Sequence, residues 1–380
     1  MSRTASQRFV SGADLARVVV GWSAFAALLA AGSLLEPPVP GATLIVALSA
    51  IVGVILVCAF GVVQQAEALA HRLGDPYGSL VLTLSIVTIE VILIAAVMLG
   101  PGEHAEIARD SVMAVAMIIL NLVIGLSLLC GGLRHGGMAH NRTGTSIYLS
   151  LIVVLASMAF ALPAVIGEDD AFTGGQEVPI VVLTIALYAF FLSRQTGAQA
   201  DDFREVDARV ARASSADEGP REIGQVFATH RREVLTRLGL LVVTAIPIVL
   251  LSHDMASLLD DGLGRLDAPP ALAGVLIAMI VFLPESITSV RAALAGEIQR
   301  VSNLCHGALV STVGLTIPVV LIIGLVTGQT VILAESPANL VMLAITLLLS
   351  VTTFAAKRVT AVHGAIHLAL FALYGITLFS

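Results

Sequence analysis

The sequence predicts an all-α polytopic membrane protein of about eleven transmembrane helices, built as two inverted five-helix repeats behind one extra N-terminal helix. Three observations predict it. The 380 residues are 57% hydrophobic and only 12% charged, with a mean hydropathy of +0.96, far from the composition of a water-soluble domain. The apolar runs are each long enough to cross about 30 Å of hydrocarbon as helices, and too numerous to share one buried core. Once the runs are taken as alternating spans, the basic residues fall almost entirely on one side.

The first span, 15–35, follows Arg3, Arg8 and Arg17. It is longer than a secretory signal core and more spans follow, so it reads as a retained helix. Span 42–66 begins after Glu36-Pro37-Pro38, and span 78–99 lies between Asp75-Pro76 and Pro101-Gly102-Glu103. Span 109–130 runs from Arg109-Asp110 to Gly131-Gly132, and span 145–166 from Asn141-Arg142 to Gly167-Glu168. Span 178–193 stops at Arg194. Residues 194–233 mix acids and arginines in near balance around Ser214-Ser215-Ala216-Asp217-Glu218-Gly219-Pro220, the composition of a solvated linker. Spans 234–252, 269–291, 302–326, 329–353 and 361–379 follow, punctuated by Asp260-Asp261, Glu297, Gly328 and Lys357-Arg358.

The chain thus divides into an N-terminal arm with the extra helix (1–36), a first five-helix repeat (37–193), a linker (194–233) and a second five-helix repeat (234–380). Five is odd, so the halves enter the membrane with opposite orientation, the architecture of inverted-repeat transporters that bind substrate near the midplane. Eighteen of the twenty Lys and Arg residues share the side of the N-terminus, leaving only Arg109 and Arg265 opposite. That places the N-terminus in the cytoplasm and the C-terminus outside, across a bacterial inner membrane. Cys58, Cys130 and Cys305 all fall within apolar runs, so no disulfide framework is expected.

Of twenty-seven acidic residues, only Glu90 and Glu285 sit deep inside spans, each in the second helix of its half. A charge at a helix centre costs about 2.5–3.5 kcal/mol on insertion scales, so an intramembrane carboxyl is retained for function. A carboxylate in low dielectric either takes a proton or finds a cation, and the two compete for the same oxygens. Two facing carboxylates neutralise one divalent ion or hold two protons, with hydroxyl, amide and carbonyl oxygens completing a hard-cation shell.

Supporting ligands are sought nearby. Thr288 and Ser289 share the Glu285 face and Ser286 adjoins it, while Pro284 leaves the Ile280 carbonyl without its helical donor. Thr88 lies to one side of Glu90. Asn303, Gly307, Ser311 and Gly314 form a small, polar strip along the ninth helix, echoed by Asn121 and Gly125 in the fourth. The stretch from Arg109-Asp110-Ser111 to Asn121 lies without a gap on Arg300-Val301-Ser302 to Thr312. The candidate ligand set is therefore Glu90 and Glu285, supported by Thr88, Asn121, Ser286, Thr288, Ser289, Asn303 and Ser311. His306, His363 and His367 read as core or interhelical hydrogen-bonding residues, since a metal site needs further ligands that their helices lack.

Two blocks carry a family resemblance. The first runs Glu67-Ala68-Leu69-Ala70-His71-Arg72-Leu73-Gly74-Asp75-Pro76-Tyr77-Gly78-Ser79-Leu80 and on to Thr88-Ile89-Glu90-Val91; the second is Pro284-Glu285 followed by Asn303-Leu304, Gly307 and Leu315-Thr316-Ile317-Pro318. Here the sequence resembles the calcium/cation antiporter superfamily, and most closely the bacterial ChaA-type calcium/sodium–proton antiporters. The resemblance implies alternating access and transport glutamates at Glu90 and Glu285. Related calcium/proton exchangers usually carry Gly-Asn where this chain has Ile86-Val87 and Val281-Phe282. The departure removes two amide ligands, so Na+ or K+ stands beside Ca2+ as the expected cargo, with H+ as counter-ion. No cofactor is implied; membrane lipids, metal cations and protons are the expected partners, with no nucleic acid. A membrane-embedded enzyme would need a Gly-x-Ser-Gly nucleophile, paired aspartates or an acidic metal motif, and a channel a repeated pore loop; neither pattern occurs.

Overall fold

The computed structural model describes residues 10–32, 35, 39–73, 77–98, 105–206, 223–269 and 271–379. Arg3 and Arg8 of the expected arm, Gly74-Asp75-Pro76 of the first motif and residues 207–222 of the expected linker lie outside them. Each expected span becomes a helix: α1 Gly12–Ala31, α2 Gly41–Leu73, α3 Tyr77–Met98, α4 Ala108–His135, α5 Arg142–Ile166, α6 Gly174–Thr196, α7 His230–Gly264, α8 Ala271–Ala295, α9 Ile298–Thr327, α10 Pro337–Ala355 and α11 Ala361–Thr377. Among the described residues, nine of these are long and apolar enough to cross a membrane. The protein is a multi-pass helical membrane protein.

Helix ends follow local chemistry. Ser11 and Asp14 form a reciprocal capping box at α1, and the Asn141 side chain accepts from the Thr143 and Gly144 amides at α5. Gly328 closes α9 at φ 73°, a left-handed conformation that glycine adopts without a Cβ clash. Two helices carry π turns, Ile118–Val123 in α4 and Ser157–Ala161 in α5.

Helix α2 runs to Leu73 and α4 to His135, past the expected ends at 66 and 130, and three further departures have a local cause. The tenth span was placed at 329–353, but α10 starts at Pro337, where Ser336 accepts from the Asn339 amide and the proline occupies the first turn. The preceding segment is extended: Ile332 N donates to Ala105 O and Glu335 N to Phe160 O. The seventh span, expected over 234–252, continues to Gly264 because Met255, Leu258 and Leu259 bury one face of its last turns. The expected linker 194–233 is packed at its start. A 3-10 turn, Ala200–Phe203, seats Phe203 at 1% exposure against Tyr148 and Phe191, with ring centroids 5.2 and 6.0 Å away. Glu205 Oε2 accepts from the Gln299 amide at 3.0 Å.

Replacing 207–222 by a flexible segment of equal length is therefore expected to leave exchange measurable in proteoliposomes. Phe203→Ala is expected to cost about 3–5 kcal/mol of stability, as for other buried aromatics, seen as a lowered thermal midpoint. An unchanged midpoint would show that the turn is not packed.

The packing between helices is exchanged between the halves. Adding five to each label in α2–α6 and subtracting five from each in α7–α11 carries α3 against α9 onto α8 against α4, α4 against α11 onto α9 against α6, and α2 against α8 onto α7 against α3. The mouths of α4 and α9 match as well: Arg109 pairs with Glu106 at 2.8 Å and Arg300 with Glu297 at 3.0 Å, each three residues apart. The extra helix α1 lies on α2 and α7. Gly21 permits that approach, since a Cβ there would meet Cys58 Sγ at 2.8 Å and Pro247 at 3.0 Å.

Candidate ion site between the halves

Helices α3 and α8 bring Glu90 and Glu285 into the interior, 4% and 5% exposed and within electrostatic reach of each other. Glu90 Oε2 accepts from Thr312 Oγ1 on α9 at 2.6 Å. Glu90 Oε1 and both oxygens of Glu285 are buried with no hydrogen-bond partner among the described residues. A buried carboxyl oxygen without a partner is destabilising by kilocalories. Such oxygens are what a bound cation or a proton would satisfy. A cavity reaches Glu285, lined by Ala59, Val62 and Val63 of α2, Ile89 of α3, Ile248 of α7, and Val281 and Pro284 of α8. Its wall is apolar apart from the carboxyl, so a cation there would take its charge balance from glutamate alone.

The supporting candidates divide by the bonds they already make. Ser286 Oγ donates back to the Phe282 carbonyl at 2.8 Å, and Thr88 Oγ1 to the Leu84 carbonyl at 2.6 Å with its side chain exposed. Thr288 Oγ1 has two acceptors, Pro284 O at 3.1 Å and Glu67 Oε1 of α2 at 3.3 Å. Ser289 is fully buried and accepts from Cys305 Sγ at 3.6 Å.

Three candidates are bonded away from the two carboxyls. Asn121, in the π turn of α4, donates to Thr346 Oγ1 at 2.9 Å and its Oδ1 accepts from His367 Nδ1 at 3.3 Å. Ser311 accepts from the Tyr188 hydroxyl at 2.9 Å. Asn303 accepts from Gln299 Nε2 at 3.0 Å and donates to Phe203 O at 2.6 Å, at the N-terminal end of α9. His306 and His367 make buried bonds, to Ser302 and Thr353, whereas His363 is part-buried and closes a capping box with Thr360 at the start of α11 instead of a core or interhelical bond. The cysteines are free.

Comparison with known proteins adds the family. The family model for sodium/calcium exchanger proteins matches residues 42–197 and 236–380. The chain belongs to the sodium/calcium exchanger family. The exchanger is 36% identical to the ionic transporter named y4hA of Sinorhizobium fredii over 85% of each chain. It is 33% identical to the sodium-potassium/proton antiporter ChaA of Escherichia coli over 88% of each. A Ca2+/H+ antiporter of Aphanothece halophytica is 22% identical over 68% of this chain and 70% of that one. The solved structure of an H+/Ca2+ exchanger, CAX, shares the fold at a TM-score of 0.66, with 12% identity, 96% of this chain and 89% of that one covered. The exchanger is thus a secondary transporter rather than an enzyme.

Among the residues that sequence reasoning missed, Thr312 touches Glu90 and Glu67 touches Thr288. Thr312 is the counterpart of Asn121 in the overlay of the halves, and position alone pointed to it. Glu67 lies in the first motif, yet nothing in its spacing marks it as a partner of Thr288 on a helix more than two hundred residues away.

Proposed function

We propose that the exchanger exports a metal cation in exchange for protons, with Glu90 and Glu285 as the oxygens that cation and proton share. The observation that carries this reading is three unpartnered carboxyl oxygens, buried on the second helices of two halves that pack on each other by exchanged contacts. A carboxyl pair so placed is neutral with protons bound, neutral with one divalent cation, and singly charged in between. Only the neutral forms cross low dielectric cheaply, which couples the two cargoes. Rocking of one repeat against the other would expose the pair to each side in turn. The two cargoes are the only small molecules the mechanism requires; no cofactor takes part. The distribution of Lys and Arg supports a cytoplasmic N-terminus and an outer C-terminus in a bacterial inner membrane.

Calcium is the first cargo of this reading, because two carboxylates match its charge. A monovalent reading is favoured by a specific observation: among the described residues no amide side chain lines the cavity at Glu285, Asn121 and Asn303 being bonded elsewhere, and a sodium-potassium/proton antiporter is among the relatives. The test is reconstitution in proteoliposomes with an internal pH-sensitive dye, adding Ca2+, Na+, K+ and Mg2+ in turn. Cation-dependent proton movement is expected; none with any of the four would remove the proposal.

Thr312 gives a finer check. Thr312→Val removes the donor to Glu90 and so disfavours its charged form, a bond worth about 1.5–3 kcal/mol to a charged acceptor. Apparent cation affinity is expected to weaken by about tenfold or more, while Thr312→Ser keeps it. Equal behaviour of the two variants would show that the hydroxyl does not act on Glu90.

A further inference from the structure

At the inner ends of α4, α5, α10 and α11, two connections are tied by a small antiparallel ribbon. β1 (Gly137–Met138) pairs with β2 (Val359–Thr360), with Gly137 opposite Thr360 and Met138 opposite Val359. The two connections that the ribbon ties together carry Arg134, Arg142, Lys357 and Arg358, all four exposed. Arg358 lies over Gly137, its Cδ 3.4 Å from where a Cβ would sit. Arg142 reaches the neutral Ala355 carbonyl at 2.8 Å, which holds the guanidinium in place without neutralising it.

The four charges have no acidic counterpart nearby in the chain. From Ser111 to Gly167, and from Ser336 to Ser380, the sequence contains no Asp or Glu. Among the described residues none of the four forms an ion pair, whereas Arg17, Arg204, Arg237 and Arg300 on the same side each hold a carboxylate. Asp201 on the adjoining linker turn is already taken by Arg204 at 2.6 Å. Like charges gathered by backbone pairing repel unless an anion sits among them.

The surroundings select the anion. Leu133, next to Arg134, is 74% exposed, and Val362, two residues after the ribbon's Thr360, is 67% exposed, with Leu348 and Ile366 exposed beyond them. These side chains face hydrocarbon in a membrane-spanning chain, so the basic edge lies at headgroup level directly below an acyl-chain surface. A free phosphate would use the charges and leave the apolar face unused. We propose that the β1–β2 edge, with Arg134, Arg142, Lys357 and Arg358, binds the headgroup of an anionic phospholipid of the inner leaflet. The lipid would thereby hold the α4–α5 and α10–α11 connections as one unit.

Placing basic residues on the inner side serves topology without any lipid site, and the test separates the two. The reconstituted exchanger is titrated with spin-labelled phosphatidylglycerol and spin-labelled phosphatidylcholine, and the ratio of their association constants is read. The unaltered protein should prefer phosphatidylglycerol. R134Q/R142Q/K357Q/R358Q should bring the ratio close to one, while R194Q/R231Q/R232Q/R291Q, which neutralises four other exposed inner arginines, should retain it. Since basic residues also direct insertion, Lys357→Gln alone provides a variant with its topology signal nearly intact, and should lower the ratio by about fivefold. The proposal is overturned by a ratio near one in the unaltered protein, by equal loss in both quadruple variants, by no change in Lys357→Gln, or by full displacement with millimolar inorganic phosphate at constant ionic strength.

Discussion

Glu90→Gln and Glu285→Gln are each expected to cut cation-driven proton flux to about a hundredth or less. Removing one partner from a buried charge-paired group is worth about 3–5 kcal/mol, and each 1.4 kcal/mol is a factor of ten in binding. Both carboxyls are almost wholly buried, and among the described residues only Glu90 Oε2 of the pair has a donor. A neutral amide is easier to bury than a carboxylate of the same shape. The variants should therefore fold and insert, with thermal midpoints equal to or above that of the unaltered exchanger. Loss of flux with retained stability separates an ion-binding role from a structural one. Undiminished flux in both variants would show that the two glutamates are structural.

Gly364→Val should act on the fold instead. A Cβ at Gly364 would come within 2.3 Å of Leu129 N and 2.5 Å of Gly125 O, and one at Gly125 within 3.1 Å of Gly364 O. Here α11 meets α4 backbone to backbone, so neither side can yield by changing a rotamer. The penalty is expected to reach about 3 kcal/mol, the upper part of the range for overpacking, and to appear as a lowered thermal midpoint and less monodisperse protein after extraction. Gly375→Val on the same helix, with nothing within 4 Å of its Cβ position, should behave as the unaltered chain. Equal midpoints for all three proteins would rule out the close α4–α11 contact.

The existence and order of the helices were legible because hydrocarbon thickness imposes one length on every span and leaves hydropathy as the dominant signal. Their ends obey finer chemistry. Val331-Ile332-Leu333-Ala334 is as apolar as a span, but Ser336 and Pro337 set the start of α10 beyond it; those two residues were readable as a cap. The packed start of the linker was not legible in composition, because one aromatic, Phe203, in a charged segment decides it. The π turns of α4 and α5 carry no periodic mark at all.

At the site, Glu90 and Glu285 stood out because a carboxyl in a span has no cheap structural use. Their neighbours did not. Hydroxyls on apolar helices either bond back to the preceding turn, as Ser286 and Thr88 do, or reach another helix, as Thr312 and Tyr188 do. The residue type is the same in both cases, and only the three-dimensional packing separates them. Asn121 and Asn303 were singled out for their amides, which the structure commits to Thr346, His367, Gln299 and Phe203.

Direct competition between cation and proton is the central claim, and proton release on cation binding measures it. Purified exchanger in lightly buffered detergent is titrated with the cation that drives flux, while a pH indicator and calorimetry follow the protons released and the apparent affinity across a pH series. Each carboxylate must lose its proton before it binds the ion, so affinity should weaken as pH falls, and protons should be released in the acidic part of the series. Both effects should diminish in Glu90→Gln and Glu285→Gln. Cation binding of constant affinity with no proton release at any pH would contradict a shared site.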